Sequence, residues 1–133
     1  MADIFVNELL IYLVGQLGAP WVAGTNAFWG RTPESPVPSI SLYEEPGEGA
    51  DPIAAIFTPY ITLKARAGGD DAIADARDIF DAAFQVLNRL AGINLTNFHL
   101  VLSQAVGSGP QPRRDEQSDV ILEATFRIRY KEL

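Results

Sequence analysis

One segment near the carboxyl end constrains this chain more than any other. Between Asp119 and Lys131, Val120, Leu122, Ala124, Phe126, Ile128 and Tyr130 alternate without a break against Ile121, Glu123, Thr125, Arg127, Arg129 and Lys131. A period of two held that long is a strand with one face for a core and one polar face bearing cations at every second position towards its end. At ~3.3 Å per residue it extends about 40 Å, long for one domain. A strand that long with one basic face is expected to meet neighbours outside the chain and not to be wholly an intramolecular element. The 133 residues hold material for one core and not for two.

Three further segments alternate. Ser39 to Glu44 sets Ile40, Leu42 and Glu44 against Ser41 and Tyr43. Thr58 to Ala67 sets Ile61, Leu63 and Ala65 against Tyr60, Thr62, Lys64 and Arg66, and Phe98 to Val106 sets Phe98, Leu100, Leu102, Gln104 and Val106 against His99, Val101, Ser103 and Ala105. Trp21, Phe28 and Trp29 among glycines predict a short strand leaving a turn within residues 21–30. Pro33, Pro36 and Pro38 predict a stiff connector barred from a central strand. Glu45 to Pro52, almost entirely Glu, Gly, Pro and Asp, predicts an exposed acidic loop. Gly107 to Ser118, GSGPQPRRDEQS, exceeds the two to five residues that a hairpin turn needs, and loops of that kind are disordered or make contacts.

Two segments read as helices. Gly68 and Gly69 break the strand before them, Asp70 is placed to cap, and Asp71 and Asp75 put negative charge at the positive end of the helix dipole. Ile73, Ala76, Phe80, Ala83, Phe84, Leu87 and Leu90 then form one apolar stripe, Arg89 suits the negative end, and Gly92 offers a left-handed stop. The other helix runs from an Asp3 cap to about Leu17, closed by Gly18 and Pro20. Its apolar positions, from Ile4, Phe5 and Val6 through Leu9, Leu10, Ile11, Tyr12, Leu13 and Val14 to Leu17, occupy more than one face. Such a helix needs cover on two sides. Either one domain covers both or a second subunit covers one, and a domain this small has few elements to spare, which favours the subunit at Leu10 and Tyr12. The economical solution is a single α+β domain: a mainly antiparallel sheet, two helices packed on one face, and a long C-terminal hairpin. The other face would carry Lys64, Arg66, Arg127, Arg129 and Lys131.

Composition removes most chemistry. The absence of cysteine excludes disulfides, thiolate metal sites and cysteine nucleophiles, and a single histidine excludes multi-histidine metal sites. His99 has no serine or aspartate at diagnostic spacing and reads as a strand-start histidine bonded to its surroundings. Asp70, Asp71, Asp75, Asp78 and Asp81 would attract a metal-dependent hydrolase reading, but Arg77 lies among them and a solvated helix face accounts for them; Glu44, Glu45, Glu48 and Asp51 lack the spacing of a calcium loop. Gly107 to Gly109 lacks the ending of a phosphate loop. No catalytic residue, metal or cofactor is expected. A net charge of −7 argues against wrapping nucleic acid. The longest early apolar run, Leu9 to Val14, falls far short of the ~20 residues that span a membrane, and Asp3 and Glu8 with no Lys or Arg before Arg31 do not make a secretory signal, so synthesis in the cytosol is expected. The basic face of Arg127, Arg129 and Lys131 can be solvated, can meet acids of a neighbouring copy, or can face a polyanion.

The strand ITLKARAGG (61–69), the helix DDAIADARDIFDAAFQVLNRLAG (70–92) and PRRDEQSDVILEATFRIRYKEL (112–133) together resemble the tail terminator, or tail completion, proteins of long-tailed bacteriophages, often called minor capsid proteins. Members similarly place an Arg-Asp-Glu segment, here Arg114, Asp115 and Glu116, before a long alternating strand; this chain has Arg113 where a glycine is expected. The resemblance implies a single tail-terminator-like domain over residues 1–133. It implies a non-enzymatic virion subunit that closes into a hexameric ring on the last ring of the tail tube, halts polymerisation and meets the head-tail connector, with DNA only passing through the lumen. A head-tail adaptor or stopper of the same neck is the nearest alternative. Arg113, Arg114, Asp115, Glu116, Arg127, Arg129, Lys131, Leu10 and Tyr12 are the expected subunit or partner contacts.

Overall fold

A computed structural model gives the arrangement and describes residues 2–30, 38–51, 55–107, 113–114 and 119–133. In chain order the elements are α1 (Ala2–Leu17), β1 (Ala27–Trp29), β2 (Ser39–Asp51), β3 (Ile56–Ala67), α2 (Ala72–Leu87), β4 (Ala91–Asn94), β5 (Phe98–Val106), β6 (Arg113–Arg114) and β7 (Val120–Glu132). The long alternating segment is the central strand, with β3 along one edge and β5 and β6 along the other. The sheet order is β1-β2-β3-β7-β5-β4, β6 also pairing with β7; β1 runs parallel to β2 and every other pairing is antiparallel.

Register makes the sheet one-sided. Ile61 pairs with Phe126, Leu63 with Ala124, Ala65 with Leu122 and Ala67 with Val120, while Ile40 and Leu42 of β2 lie beside Ala65 and Leu63. All these apolar residues therefore face one way. Both helices pack there, α2 over β3 and β7, and α1 against β1, β2 and α2. From α2 the buried residues are Ala72, Ala76, Phe80, Ala83 and Leu87. The α+β architecture, the helices and the C-terminal hairpin agree with the sequence. No helix among the described residues is long and apolar enough to cross a membrane.

Local departures have identifiable causes. The acidic stretch from Glu45 is not a loop: β2 continues to Asp51, with Glu48 opposite Thr58 and Asp51 opposite Ile56. Each of those two steps inserts one extra residue on β2, and bulges of that kind accommodate Pro and Gly within a strand. In β5, Leu100 faces Tyr130 but Leu102 faces Arg129, so one extra residue at this point reverses the alternation beyond it. Leu102, Gln104 and Val106 consequently share the outer face with Arg129, Arg127 and Thr125, whereas Ser103 turns inward and is fully buried with an unpaired hydroxyl. The second helix takes Asp71, not Asp70, as its N-cap, without a side-chain capping bond, and Ile73 is 49% exposed instead of joining the stripe. Its end also comes earlier than Gly92. Asn88 is extended and Arg89 is left-handed at φ 63°, a conformation costing a non-glycine residue about 1–2 kcal/mol. Leu90 carbonyl accepts from Ser103 N–H at 2.7 Å, so the turn is locked to β5. Pro33 and Pro36 lie outside the described residues.

The outer face of β3 is not uniformly solvated either. Arg66 is 3% exposed and donates through Nε (3.0 Å) and Nη2 (2.7 Å) to one Asp119 oxygen, at the foot of β7. The segment after β5 is likewise not one loop, because Arg113 and Arg114 rejoin the ladder opposite Ile121 and Val120. The Arg66–Asp119 pair thus anchors the strand at the point where the hairpin closes. Removing one partner of a buried pair leaves the other charge without that compensation. Asp119→Ala should lower unfolding free energy by about 3–5 kcal/mol in chemical denaturation, and Arg66→Met with Asp119→Leu should recover most of that loss.

Candidate functional site

Tyr130 joins α1 to the sheet. Its ring stacks on Phe5 at 3.8 Å and 5°, stacks on Phe57 at 5.3 Å, and takes Phe98 edge-on at 5.3 Å. Glu8 adds a polar clasp, accepting from the Asn97 backbone N–H (2.9 Å) and Nδ2 (2.8 Å) in the turn before β5. Phe5, Val6, Leu9, Leu10 and Leu13 are all buried within the one chain. The sheet and α2 therefore provide much of the two-sided cover that this helix needs. Leu10, expected to meet another subunit, is 1% exposed in the chain's own core, at the floor of a cleft of about 370 Å³ with Asn7, Ala23, Ala27, Phe28 and Trp29. Tyr12 is half-buried and lines a second cleft with Glu8, Ile11, Asn94 and Leu95. Among the described residues, the large apolar side chain of α1 that stands in solvent is Ile11, 54% exposed.

The remaining surface divides into two unlike faces. Asp70, Asp71, Asp75, Asp78 and Asp81 are all exposed at and along α2, whose apolar side is on the sheet, so they point away from the core. Among the described residues no group of three or more His, Asp and Glu side chains is arranged to hold an ion. The opposite face of the sheet carries the cations of β7. Arg127 and Arg129 are half-buried and Lys131 is exposed, flanked across the strand gap by Gln104, Leu102 and His99 respectively. Lys64 sits over the Tyr43 ring at 5.1 Å and opposite Glu123, and Arg66 donates to Asp119, while Arg129 and Lys131 lie towards the other end of the face. His99 Nδ1 lies 2.6 Å from Asn94 Oδ1 in the facing strand, a structural bond across the hairpin. Arg113 and Arg114 are placed by their backbone beside the start of β7; Asp115 and Glu116 lie outside the described residues. The outward turn of Leu102, Gln104 and Val106 had no sequence signal, because one inserted residue in β5 leaves composition unchanged.

Comparison with known proteins speaks to the fold. Neither a family model nor a curated protein matches the sequence. Solved structures do match, 21 chains in all. One is a chain of the virion of a native gene transfer agent particle, with a TM-score of 0.62 and 17% identity over 99% of this chain and 98% of that one. The likeness is one of fold. It runs end to end, so both helices and the whole sheet are included.

Burial pushes the Tyr130 phenol up to about 12, with Glu44 and Glu132 adding to the effect, and burial also raises Tyr43. A pKa higher in the folded than the unfolded state contributes stability that is present below the unfolded value, ~10, and lost as pH rises through the folded one. Stability should accordingly fall between pH 10 and about 12. Replacing Tyr130 by Phe should flatten that fall in denaturation midpoints measured across the window.

Proposed function

We propose that this chain is a structural protein of a phage-like virion, and within it the tail terminator. The observation that carries the virion reading is the end-to-end fold likeness to a chain of the gene transfer agent virion, at a TM-score of 0.62. The terminator reading draws its support from the sequence resemblance over residues 61–92 and 112–133, with the long strand, the preceding helix and the Arg-Asp-Glu segment in that order. In this role the chain performs no chemistry. Copies close into a hexameric ring on the last ring of the tail tube, stop its growth and offer the opposite surface to the head-tail connector. The net charge of −7 suits a ring through which DNA slides, since like charge keeps it from sticking.

Immunogold electron microscopy of particles from cells producing the protein tests both levels. Gold at the head-proximal end of the tail, on the tube side of the neck, is the expected result. Label on the connector side would make the chain an adaptor or stopper, and unlabelled particles would remove it from the virion.

A further inference from the structure

Charge is divided unevenly between the two sides of the molecule, with Arg77 on the acidic helix and Glu123 on the basic sheet face as the exceptions. On α2, the outward stripe comprises Asp71, Asp75, Asp78 and Asp81 with the small residues Ala74 and Ala82 between them, all exposed. On the far side of the sheet, where neither helix packs, Arg129 stands beside Leu102 and Lys131 beside His99, with Val106 further along the same face opposite Thr125. The cations of β7 stand ~7 Å apart along the strand, and Asp71 to Asp78 spans about 10 Å of helix, so the rows match in reach as well as in sign. A chain of net charge −7 repels its own copies unless its few cations meet carboxylates directly. We propose that the occupant of the basic sheet face is the acidic α2 face of a second copy of this chain. The two surfaces lie on opposite sides of the fold, so the contact joins unlike patches and leaves one of each free at every step. That is a head-to-tail contact, which generates rings or filaments and never a closed two-fold dimer. Alanines at 74 and 82 let the helix come down on Leu102 and Val106, which the extra residue in β5 has turned outward. The inference rests on the ring reading above and adds which faces meet.

Sedimentation velocity of the purified chain tests it, at low salt and at 1 M salt, where screening reaches ~3 Å. Wild type should form large species at low salt that dissociate at high salt. Arg129→Glu with Lys131→Glu should weaken association roughly tenfold or more, and so should Asp78→Lys with Asp81→Lys, a pair clear of the helix N-terminus. Mixing the two double variants should restore assembly, since each supplies the charge that the other lacks; recovery also proves both folded. Assembly by either double variant alone at wild-type strength, or no recovery in the mixture, overturns the face assignment while leaving the ring. Wild type that stays monomeric at every concentration overturns both, and binding of a DNA duplex through Arg129 and Lys131 without self-association gives the face to nucleic acid instead.

Discussion

The pairing of β3 with β7 is the constraint from which the rest of the molecule follows. It brings together the two strands with the strictest alternation, in a register that puts Ile61, Leu63 and Ala65 beside Phe126, Ala124 and Leu122. Slipping β7 by one residue would send Phe126 and Leu122 to solvent and the row Glu123, Thr125 and Arg127 into the core. Once that register is set, the helices have one place to go. Tyr130 then fixes α1 through Phe5, at the end of the same strand.

Where each residue acted locally, the sequence was a sufficient guide. The unbroken alternation of Val120 to Tyr130 and the stripe of Ala76, Phe80, Ala83 and Leu87 identified the long strand and the covering helix, because period and burial coincide there. Illegible features depend on partners distant in sequence. Glu45 to Asp51 is poor strand sequence, held by the neighbouring edge of β3. Arg66 looks like any outward cation until Asp119, 53 residues away, closes on it. The extra residue in β5 changes no residue type, yet it exchanges Leu102 and Gln104 for Ser103 and Ala105 at the core.

The candidate surface divides in the same manner. Outward cations at Arg127, Arg129 and Lys131 follow from alternation alone. Cover for α1 does not, and Leu10 illustrates why: a helix apolar on several sides can be satisfied by a sheet and a second helix of its own chain, leaving Ile11 as the large apolar side chain of α1 that is exposed among the described residues. The fold thereby leaves charge, more than a greasy helix, as the conspicuous feature of the described surface. A chain whose helices all lie on one side of a sheet is intrinsically two-faced, and head-to-tail contacts are the kind that join unlike faces. The same sidedness accounts for a fold likeness that persists at 17% identity, since alternation and register can be met by many residue combinations.

Native-state amide hydrogen exchange tests the primacy of that ladder most directly. If β3 and β7 organise the fold, the amides of Ile61 to Ala67 and Val120 to Tyr130 exchange only through global unfolding, and α1 opens before them. Slower exchange in α1 than in β7, or release of β7 in a partial opening that leaves the helices protected, would contradict the account.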